Sequence, residues 1–561
     1  MKYIIVGAVA GGASTAARLR RLDENAEIVI FEKGAYISYA NCGLPYYIGD
    51  IIQDRNKLFV QTAANFNKRF NVDVRIMTEV ININPSKKTI TARNQQTGEI
   101  FDEGYDKLVL APGAEPVRPP LPGIGLEGIF TLRNVTDTDF IKSYVQKYAS
   151  GKAVVIGAGF IGLEMAENLQ HSGLNVSIIE MGKQVLAPID FPLAALVQQH
   201  IRSKGVDLRL NTSVNGFKKE DSGIKVLLSN GEELYTNIVI LSIGVKPDTK
   251  LAANAGLKLG PAKGILVNEY LQTSDPDIYA VGDAIEFLNP ITGLSSNTYL
   301  AGPANKQGRI CANNLVMGNV QQYNGSINTA IVKVFDMTVA TAGVPVKQLK
   351  NNNIEYIAST THSGSHAGYF PGATQMSIQL AFAPKSGRLL SAQVAGYNGV
   401  DKRMDILASV IQRGGSIYEL TELEHAYAPP FSSAKDPVNI AGFVAENILQ
   451  EQMNVVYWDE FKEKATDAFI LDVRTHKEFE AGSIEGATNI PLDELRSRLE
   501  ELPKGKAIYI YCQVGLRGYL AYRILKQKGF VDIYNLSGGY KLWNACAAEH
   551  QINAPKIKAF V

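Results

Sequence analysis

Cysteine is scarce in this sequence, and the scarcity excludes several classes of protein. The chain has 561 residues and four cysteines, of which the nearest two are Cys512 and Cys546. Such spacing provides neither a C-x-x-C zinc site nor the dense cysteine pairs of a disulfide framework. The sequence therefore predicts no metal site, reduced thiols and a cytoplasmic location.

A dominant charge and long apolar runs are also missing. The 56 basic and 55 acidic residues nearly cancel, and the sequence pI is about 7.6. We therefore expect small-molecule partners and no nucleic-acid surface. No run reaches the roughly 18 apolar residues of a membrane span. The apolar run after Lys2 could be read as a signal peptide, but it continues into a strand, turn and helix, so we interpret it as part of the fold.

The chain is long enough for three or four domains of roughly 150 residues each, and it begins with a nucleotide-binding pattern. An apolar run, Lys2 to Val6, precedes a glycine turn, Gly7 to Gly12, and a second strand ends at Glu32. Glycines permit the tight turn, the helix N-terminus receives a pyrophosphate, and the acid binds a ribose hydroxyl. Because Val9 replaces the second glycine of G-x-G-x-x-G, a glycine turn without function stays an alternative.

A second copy of the pattern is complete. Gly157, Gly159 and Gly162 follow an apolar strand, and the next strand ends at Glu180. A carboxylate there favours the 2′-hydroxyl of NADH over the 2′-phosphate of NADPH. Lys183 lies close by in the sequence, so NADPH stays an alternative.

Three further segments favour a flavin beside a nicotinamide, the usual pair in a hydride path. Tyr105 to Pro116 and Asn237 to Asp248 each read as a buried strand that leads into a glycine turn. The third, "DIYAVGDA", ends near Asp283, whose carboxylate is suited to a ribityl hydroxyl. The alternative for Asp283 is a turn or helix cap.

The order of "GAVAGGA", "SYANCGLPYY", "APGA", "GAGFIGLE" and "YAVGDA" resembles the FAD-dependent pyridine nucleotide disulfide oxidoreductases, in their single-cysteine coenzyme A-disulfide reductase branch, over about the first 445 residues. This resemblance implies an α/β protein with two Rossmann-like nucleotide-binding domains. It also implies an α+β dimerisation domain that forms a homodimer and completes the partner's active site. The FAD residues it implies are Gly7, Ala10, Gly11, Gly12, Glu32, Lys33, Val80, Ala111, Gly113, Asp283 and Ala301. The NADH residues are Gly157, Gly159, Gly162, Glu180 and Gly244.

Cys42 opens "CGLPYY" directly after the first nucleotide unit. A thiolate is the reactive form of cysteine, and its pKa falls near helix N-termini. A lone cysteine is by default a small buried hydrophobe, but the resemblance places Cys42 against the flavin. Two-cysteine relatives carry a second thiol five positions on, where this chain has Tyr47. A partner sulfur must then come from a substrate, and the resemblance names coenzyme A.

Candidate coenzyme A contacts lie near this cysteine and in the third domain. Ser14, Arg18 and Arg21 share one face of the first predicted helix, which could also be an ordinary solvated basic face. The resemblance adds Ser38, Asn41 and Lys435, and it implies that Tyr369 and Tyr427 donate to a leaving thiolate. Relatives bind the nucleotide end of coenzyme A with a lysine. In this chain only Lys68 or Arg69 lies near that place in the sequence, so neither matches it closely and the tightness of coenzyme A binding stays open.

After about residue 450 the pattern of strands and helices restarts as one compact α/β unit. Cys512 ends a strand, and Arg517 begins the helix after a short loop. Backbone N–H groups of such a loop suit an anionic sulfur. Together with "DVR" and "GATNIP" this loop resembles the rhodanese sulfurtransferase domain. A cysteine phosphatase, which needs one more residue in the loop, is the runner-up. Cys311 and Cys546 have no motif and are predicted to be structural.

These patterns predict four domains. They are an FAD domain (1–115 and 268–322), an NAD(P)H domain (116–267), a dimerisation domain (323–447) and a rhodanese domain (455–546). The predicted activity is NADH-dependent, FAD-mediated reduction of coenzyme A persulfide and disulfide at Cys42, with Cys512 as sulfur carrier. Two alternatives stay open: an NADH oxidase or peroxidase that cycles a sulfenic acid, and a rhodanese-type sulfur carrier for a protein partner.

Overall fold

The computed structural model describes residues 1–552, which divide into two compact units. The first unit contains Met1–Ile179 and Thr212–Asn328, and the second contains Glu180–Asn211 and the chain from Thr329 onward. Each unit contains several strands and helices around buried apolar clusters.

The first unit consists largely of short strands, and the elements of both units are numbered in chain order. Its strands are β1 (Lys2–Val6), β2 (Glu27–Phe31), β3 (Asp73–Arg75), β4 (Thr78–Asn84), β5 (Thr89–Asn94), β6 (Ile100–Gly104), β7 (Lys107–Leu110), β8 (Ala114–Pro116), β9 (Ile129–Phe130), β10 (Lys152–Ile156), β11 (Asn175–Ile179), β13 (Val214–Glu220), β14 (Gly223–Leu228), β15 (Glu233–Thr236), β16 (Ile238–Leu241), β17 (Val245–Pro247), β18 (Ile265–Leu266), β19 (Ile278–Ala280), β20 (Ile285–Leu288) and β21 (Ser295–Ser296). Its helices are α1 (Ala10–Leu22), α2 (Leu44–Ile48), α3 (Ala63–Phe70), α4 (Val135–Lys147), α5 (Phe160–His171), α7 (Lys250–Asn254) and α8 (Ala301–Met317).

A parallel sheet in the order β19-β7-β1-β2-β3 forms the core of the first nucleotide-binding domain. The apolar run of β1 lies at its centre, where Ile4 and Ile5 are fully buried. Gly7 has φ +99°, and a Cβ on Gly12 would lie 1.8 Å from the Gly7 carbonyl oxygen. Only glycines therefore allow α1 to start so close to β1.

The second nucleotide-binding pattern folds in the same way. Strands β11, β10, β16 and β9 lie side by side and parallel, and α5 follows β10. Gly157 has φ +100°, and a Cβ on Gly162 would lie 2.0 Å from the Gly157 carbonyl oxygen. Both predicted Rossmann-like units are thus confirmed.

The second unit contains an antiparallel and a parallel sheet. Its strands are β12 (Asp207–Arg209), β22 (Ala330–Val334), β23 (Met337–Gly343), β24 (Ile357–Gly364), β25 (Gln375–Phe382), β26 (Leu389–Gly396), β27 (Val455–Val456), β28 (Phe469–Asp472), β29 (Thr488–Asn489), β30 (Ile508–Tyr511) and β31 (Ile533–Leu536). Its helices are α6 (Phe191–Ser203), α9 (Val346–Asn351), α10 (Val400–Gln412), α11 (Ile417–Glu422), α12 (Pro437–Leu449), α13 (Phe461–Lys464), α14 (His476–Glu480), α15 (Leu492–Leu495), α16 (Leu516–Gln527) and α17 (Gly539–Ile552).

The antiparallel sheet has the order β22-β23-β26-β25-β24 and packs against α10 and α12. The parallel sheet has the order β27-β31-β30-β28-β29. The predicted fold class, with an α+β domain and a C-terminal α/β domain after the two nucleotide-binding units, is confirmed. In residues 1–552 no helix combines the length and apolar character needed to cross a membrane.

Candidate active site

Cys42 lies in a short helical turn, Asn41–Gly43, immediately before α2. The residue is exposed and forms no disulfide. The sequence suggests a thiolate favoured by a helix N-terminus, but the protein groups here act in the opposite direction. Surrounding protein desolvates the thiol and raises its pKa, and the carboxylates of Glu164 and Asp283 raise that pKa further. Protein groups alone therefore favour the neutral form of the Cys42 thiol.

Glu164 is a site residue that sequence reasoning missed. It projects from α5, and the phenol of Tyr46 donates to its Oε1 at 3.3 Å. Burial raises the pKa of Glu164 to about 7, while the Tyr46 hydrogen bond lowers it. A carboxyl group that titrates near neutrality therefore lies close enough to shift the pKa of Cys42. The "GLE" of the second glycine motif was its only sequence signal.

Tyr47 occupies the position at which two-cysteine relatives carry their second thiol. Its side chain is 9% exposed and packs in an apolar cluster with Leu44, Leu58 and Val135. The Lys142 ammonium lies 4.1 Å from the centre of its ring. Tyr47 is therefore a structural residue. The other cysteine of this unit, Cys311, is fully buried in the core, as predicted.

The Glu32 carboxylate, directly after β2, is oriented by two backbone hydrogen bonds. It accepts hydrogen bonds from the backbone N–H of Ala8 at 2.9 Å and of Gly34 at 2.7 Å. This carboxylate is fixed beside the turn that contains Ala10 and Gly11. A ribose hydroxyl of a dinucleotide would find a rigid acceptor there.

Asp283 lies in a helical turn directly after β19. Burial raises the pKa of its carboxyl to about 6, and Arg133 opposes the shift. Within residues 1–552 the carboxylate has no hydrogen-bond partner, although the burial calls for one. A hydroxyl of a bound flavin fits this requirement, because it could donate the missing hydrogen bond.

The other predicted FAD residues lie in the same unit. The backbone N–H of Ala111 donates to Val6, and Gly113 has φ +77°. Val80 is buried and Ala301 begins α8. Lys33 instead forms ion pairs with Glu115 at 3.3 Å and with Asp248 at 3.4 Å.

The nicotinamide-side turn leaves room for a ligand. Gly159 is the N-cap of α5, and a Cβ added there would meet no atom within 4 Å. Gly244 is exposed with φ +111° and open space around it. In the second unit, Glu180 accepts a hydrogen bond of 2.6 Å from the Gly182 N–H. In the first unit, the open space at Gly159 and Gly244 fits a dinucleotide whose pyrophosphate approaches the helix N-terminus.

The predicted coenzyme A face of α1 packs along α8. Ser14 hydrogen-bonds Asn305, and Arg18 Nε donates to Asn313 Oδ1 at 2.9 Å. The pKa of Arg18 is lowered by burial and then by Arg309 and Arg21. Arg309, which sequence reasoning missed because it comes from α8, thus joins Arg18 and Arg21 in one basic cluster.

The remaining predicted contacts of the first unit are exposed, except for Ser38, which is half-buried. Ser38 has φ +44°, and Asn41 is exposed beside Cys42. Lys68 and Arg69 are exposed in the last turn of α3. Within residues 1–552 neither of these two cations forms an ion pair, so the structure does not favour one over the other.

Tyr369 and Tyr427 are brought together in the second unit. They lie on different loops, are 76% and 46% exposed, and their hydroxyls are 2.7 Å apart. Lys435 is exposed on the loop of Tyr427, one residue before the N-cap of α12. The two phenols form a single exposed donor pair.

The Cys512 loop joins β30 to α16. The Cys512 sulfur accepts a hydrogen bond of 3.1 Å from the Gly515 N–H, and Gly515 has φ +110°. Cys512 is fully buried, and its carbonyl accepts from the Tyr540 N–H. Arg517 donates two hydrogen bonds to Glu478, a residue without a sequence signal. The loop therefore presents one backbone donor, the Gly515 N–H, and an oriented cation, Arg517, to one sulfur.

Comparison with known proteins agrees with this arrangement. Residues 1–308 match the family model of the pyridine nucleotide-disulphide oxidoreductases, residues 329–437 the dimerisation domain of that family, and residues 457–546 the rhodanese-like domain. The coenzyme A disulfide reductase of Staphylococcus haemolyticus is 37% identical over 447 residues, which cover 80% of this chain and 100% of that protein.

Two solved structures extend the similarity to the rhodanese-like part. Reduced CoADR-RHD of Bacillus anthracis matches with TM-score 0.96 and 48% identity over 98% of each chain. A NAD-dependent persulfide reductase from A. fulgidus matches with TM-score 0.91 and 38% identity over 97% of this chain and 100% of that one. This chain belongs to the pyridine nucleotide-disulphide oxidoreductase family, whose members bind FAD and NAD(P)H, and it is an oxidoreductase with a fused rhodanese-like domain.

Proposed function

We propose that this protein uses NADH and FAD to reduce coenzyme A persulfide and coenzyme A disulfide at Cys42, and that Cys512 carries sulfane sulfur. The single observation that carries the proposal is the setting of Cys42. Its thiol is exposed, Tyr47 is buried at the position of a second thiol, and Cys311 is in the core. The partner sulfur therefore comes from a substrate, and the names of two similar proteins support the class of substrate.

The first unit fits FAD, since Glu32 is oriented by backbone N–H groups and Asp283 lacks a donor. When bound, FAD accepts a hydride from NADH and supplies the electron pair that cleaves a sulfur–sulfur bond. Open space at Gly159 accommodates the NADH pyrophosphate. Glu180 prefers the 2′-hydroxyl of NADH to a 2′-phosphate.

Cys42 is the nucleophile of the proposed reaction. Its thiolate attacks one sulfur of coenzyme A disulfide, and one coenzyme A leaves as a thiolate. Reduction of the mixed disulfide then releases the second coenzyme A and restores Cys42. The sum consumes one NADH and one proton and yields two thiols. With coenzyme A persulfide the products are one coenzyme A thiol and one hydrosulfide.

Glu164 accepts a proton and the tyrosine pair donates hydrogen bonds at these sulfurs. Glu164 can accept the Cys42 proton, because its pKa of about 7 lies near neutral pH. Tyr369 and Tyr427 donate to the leaving thiolate, and in a homodimer each chain supplies this pair to its partner's site. The dimerisation domain of the family supports that arrangement.

Coenzyme A binds to the basic surface near Cys42 in this proposal. Ser14, Arg18 and Arg21 hold its phosphates and pantetheine arm, with Ser38 and Asn41 beside the thiol. Arg309 strengthens this cluster. Lys68, Arg69 and Lys435 contribute further cations, all of them exposed.

The sulfur of Cys512 reaches the flavin site on the pantetheine thiol of coenzyme A. Arg517 and the loop N–H groups stabilise an anionic persulfide on Cys512. We assign the four domains to 1–115 with 268–322, 116–267, 323–447 and 455–546. All four cysteines are free thiols, which supports a reducing, cytoplasmic setting.

Intact-protein mass spectrometry tests this proposal. Enzyme with a free Cys42 thiol and oxidised flavin is mixed with coenzyme A disulfide without oxygen and without NADH. It should gain one coenzyme A per chain, on the Cys42 peptide. Cys42→Ser should gain none, and the control Cys311→Ser should behave like wild type. An adduct that survives in Cys42→Ser would contradict the proposal. A Cys42 sulfenic acid formed with oxygen, without any thiol adduct, would favour the oxidase alternative.

A further inference from the structure

Arg403 is a fully buried arginine that has no role in the proposed reaction as described above. It lies on α10 and is 1% exposed. Its guanidinium faces Asp436, which is 0% exposed, with hydrogen bonds of 3.3 Å from Nε and 2.8 Å from NH2. A buried pair of this kind contributes little net stability compared with apolar residues of equal volume. Its presence therefore calls for a role other than stability.

The guanidinium reaches both loops that carry the tyrosine pair. Its NH2 group donates to the Ser365 carbonyl at 2.9 Å, at the start of the loop that presents Tyr369. The same group donates to Ser432 Oγ at 3.3 Å, on the loop that presents Tyr427. One planar donor therefore connects two segments that are distant in sequence.

Asp436 completes the connection from the other side. It accepts from Ser432 Oγ at 2.6 Å and, as the N-cap of α12, from the Val438 N–H at 3.0 Å. The loops also meet directly, since the Ala367 N–H donates to the Ser432 carbonyl at 3.0 Å. Tyr369 and Tyr427, whose hydroxyls are 2.7 Å apart, are 76% and 46% exposed, so little packing holds these side chains in place.

A cavity of about 490 Å³ lies between the two loops, which the Arg403–Asp436 hydrogen bonds join. The residues that line it include Tyr427, Phe431, Arg403 and Asn398. Because Tyr427 borders this space, the hydrogen bonds of its loop contribute to the position of the phenol.

We propose that Arg403, through Asp436, is a positioning residue for thiol release. Its buried guanidinium sets the relative position of Tyr369 and Tyr427 and so the strength of their donation to the leaving thiolate. This inference rests on the proposed function, because it assumes that the tyrosines donate to coenzyme A thiolate.

Rapid kinetics of the two half-reactions test the inference in the holoenzyme. Arg403→Lys keeps the charge but loses the planar fork. We expect flavin reduction by NADH to stay within about twofold of wild type. Reoxidation by coenzyme A disulfide should slow by about 100-fold, the usual effect of misplacing a reacting group by about 1 Å. Ser432→Ala, which keeps the ion pair, should slow reoxidation less, and the exposed Arg413→Lys at the end of α10 is the matched control.

A double variant separates positioning from loss of folding. In wild type, Tyr427→Phe should slow reoxidation, whereas in the Arg403→Lys background it should have little further effect, because the phenol is already misplaced. Equal effects of Tyr427→Phe in both backgrounds would overturn the inference, as would normal reoxidation in Arg403→Lys. If both single variants, Tyr369→Phe and Tyr427→Phe, left wild-type reoxidation unchanged, the tyrosine role in the proposed function would fail instead.

Discussion

Arg517 and Glu478 are joined by two parallel hydrogen bonds of 2.7 Å beside the Cys512 loop. A bidentate pair fixes the plane of the guanidinium as well as its place. Glu478 and then Cys512 raise the pKa of Arg517, so the guanidinium that Glu478 orients lies beside Cys512.

Substitution of Glu478 should weaken sulfur transfer at Cys512. We expect Glu478→Gln to lower kcat/KM for thiosulfate-to-thiol sulfur transfer by about 10- to 100-fold, because Arg517 loses its orientation. NADH-dependent reduction of coenzyme A disulfide should keep its wild-type rate in the same variant. An unchanged sulfur-transfer rate would show that Arg517 needs no such support.

The same pair predicts how acid affects the rhodanese-like domain. Arg517 holds the pKa of Glu478 at about 2, below its ordinary value of 4.5. A lowered pKa gives stability that is present above pH 4.5 and is lost as the pH falls towards 2. Melting temperatures of wild type and Glu478→Gln should therefore converge across this range. Because Glu478 is 31% exposed, added salt should reduce the difference. A difference that stays constant with pH would contradict this account.

Glu164 should control the titration of Cys42. Its carboxylate raises the pKa of the Cys42 thiol, so Glu164→Gln should lower that pKa. The measurement is the pH dependence of Cys42 alkylation by iodoacetamide in the reduced enzyme. The control Glu167→Gln removes a neighbouring charge that acts on Glu164, and it should move the Cys42 profile less. Identical profiles for Glu164→Gln and wild type would rule out this coupling.

Alanine substitutions at two glycines of the second nucleotide turn should have different effects, one on stability and the other on NADH binding. Gly162→Ala places a Cβ 2.0 Å from a backbone carbonyl and should lower stability by about 1–3 kcal/mol. Gly159→Ala meets no atom within 4 Å, so its melting temperature should stay near wild type. The new methyl group would occupy the approach to the helix N-terminus, and the KM for NADH should rise about tenfold or more. A normal KM would place the NADH pyrophosphate elsewhere.

Local patterns predicted much of this molecule. The turns at Gly7 and Gly157 follow from spacing within single strand–turn–helix segments, and the Cys512 to Arg517 loop is equally local. Local sequence patterns did not predict the contacts between segments that are distant in sequence. The Tyr46 hydrogen bond to Glu164, the Arg309 charge beside Arg18, and the Arg403–Asp436 pair depend on tertiary packing. The direction of the Cys42 pKa shift was missed for the same reason, since its carboxylate neighbours come from α5 and from the turn after β19.

Steady-state turnover of coenzyme A persulfide tests the central role of Cys42 most directly. Wild type without oxygen should release one coenzyme A thiol and one hydrosulfide for each NADH oxidised. Cys42→Ser should lose nearly all of this turnover, while Cys512→Ser should keep it, because the persulfide is already on coenzyme A. Full NADH-dependent turnover by Cys42→Ser would contradict the account.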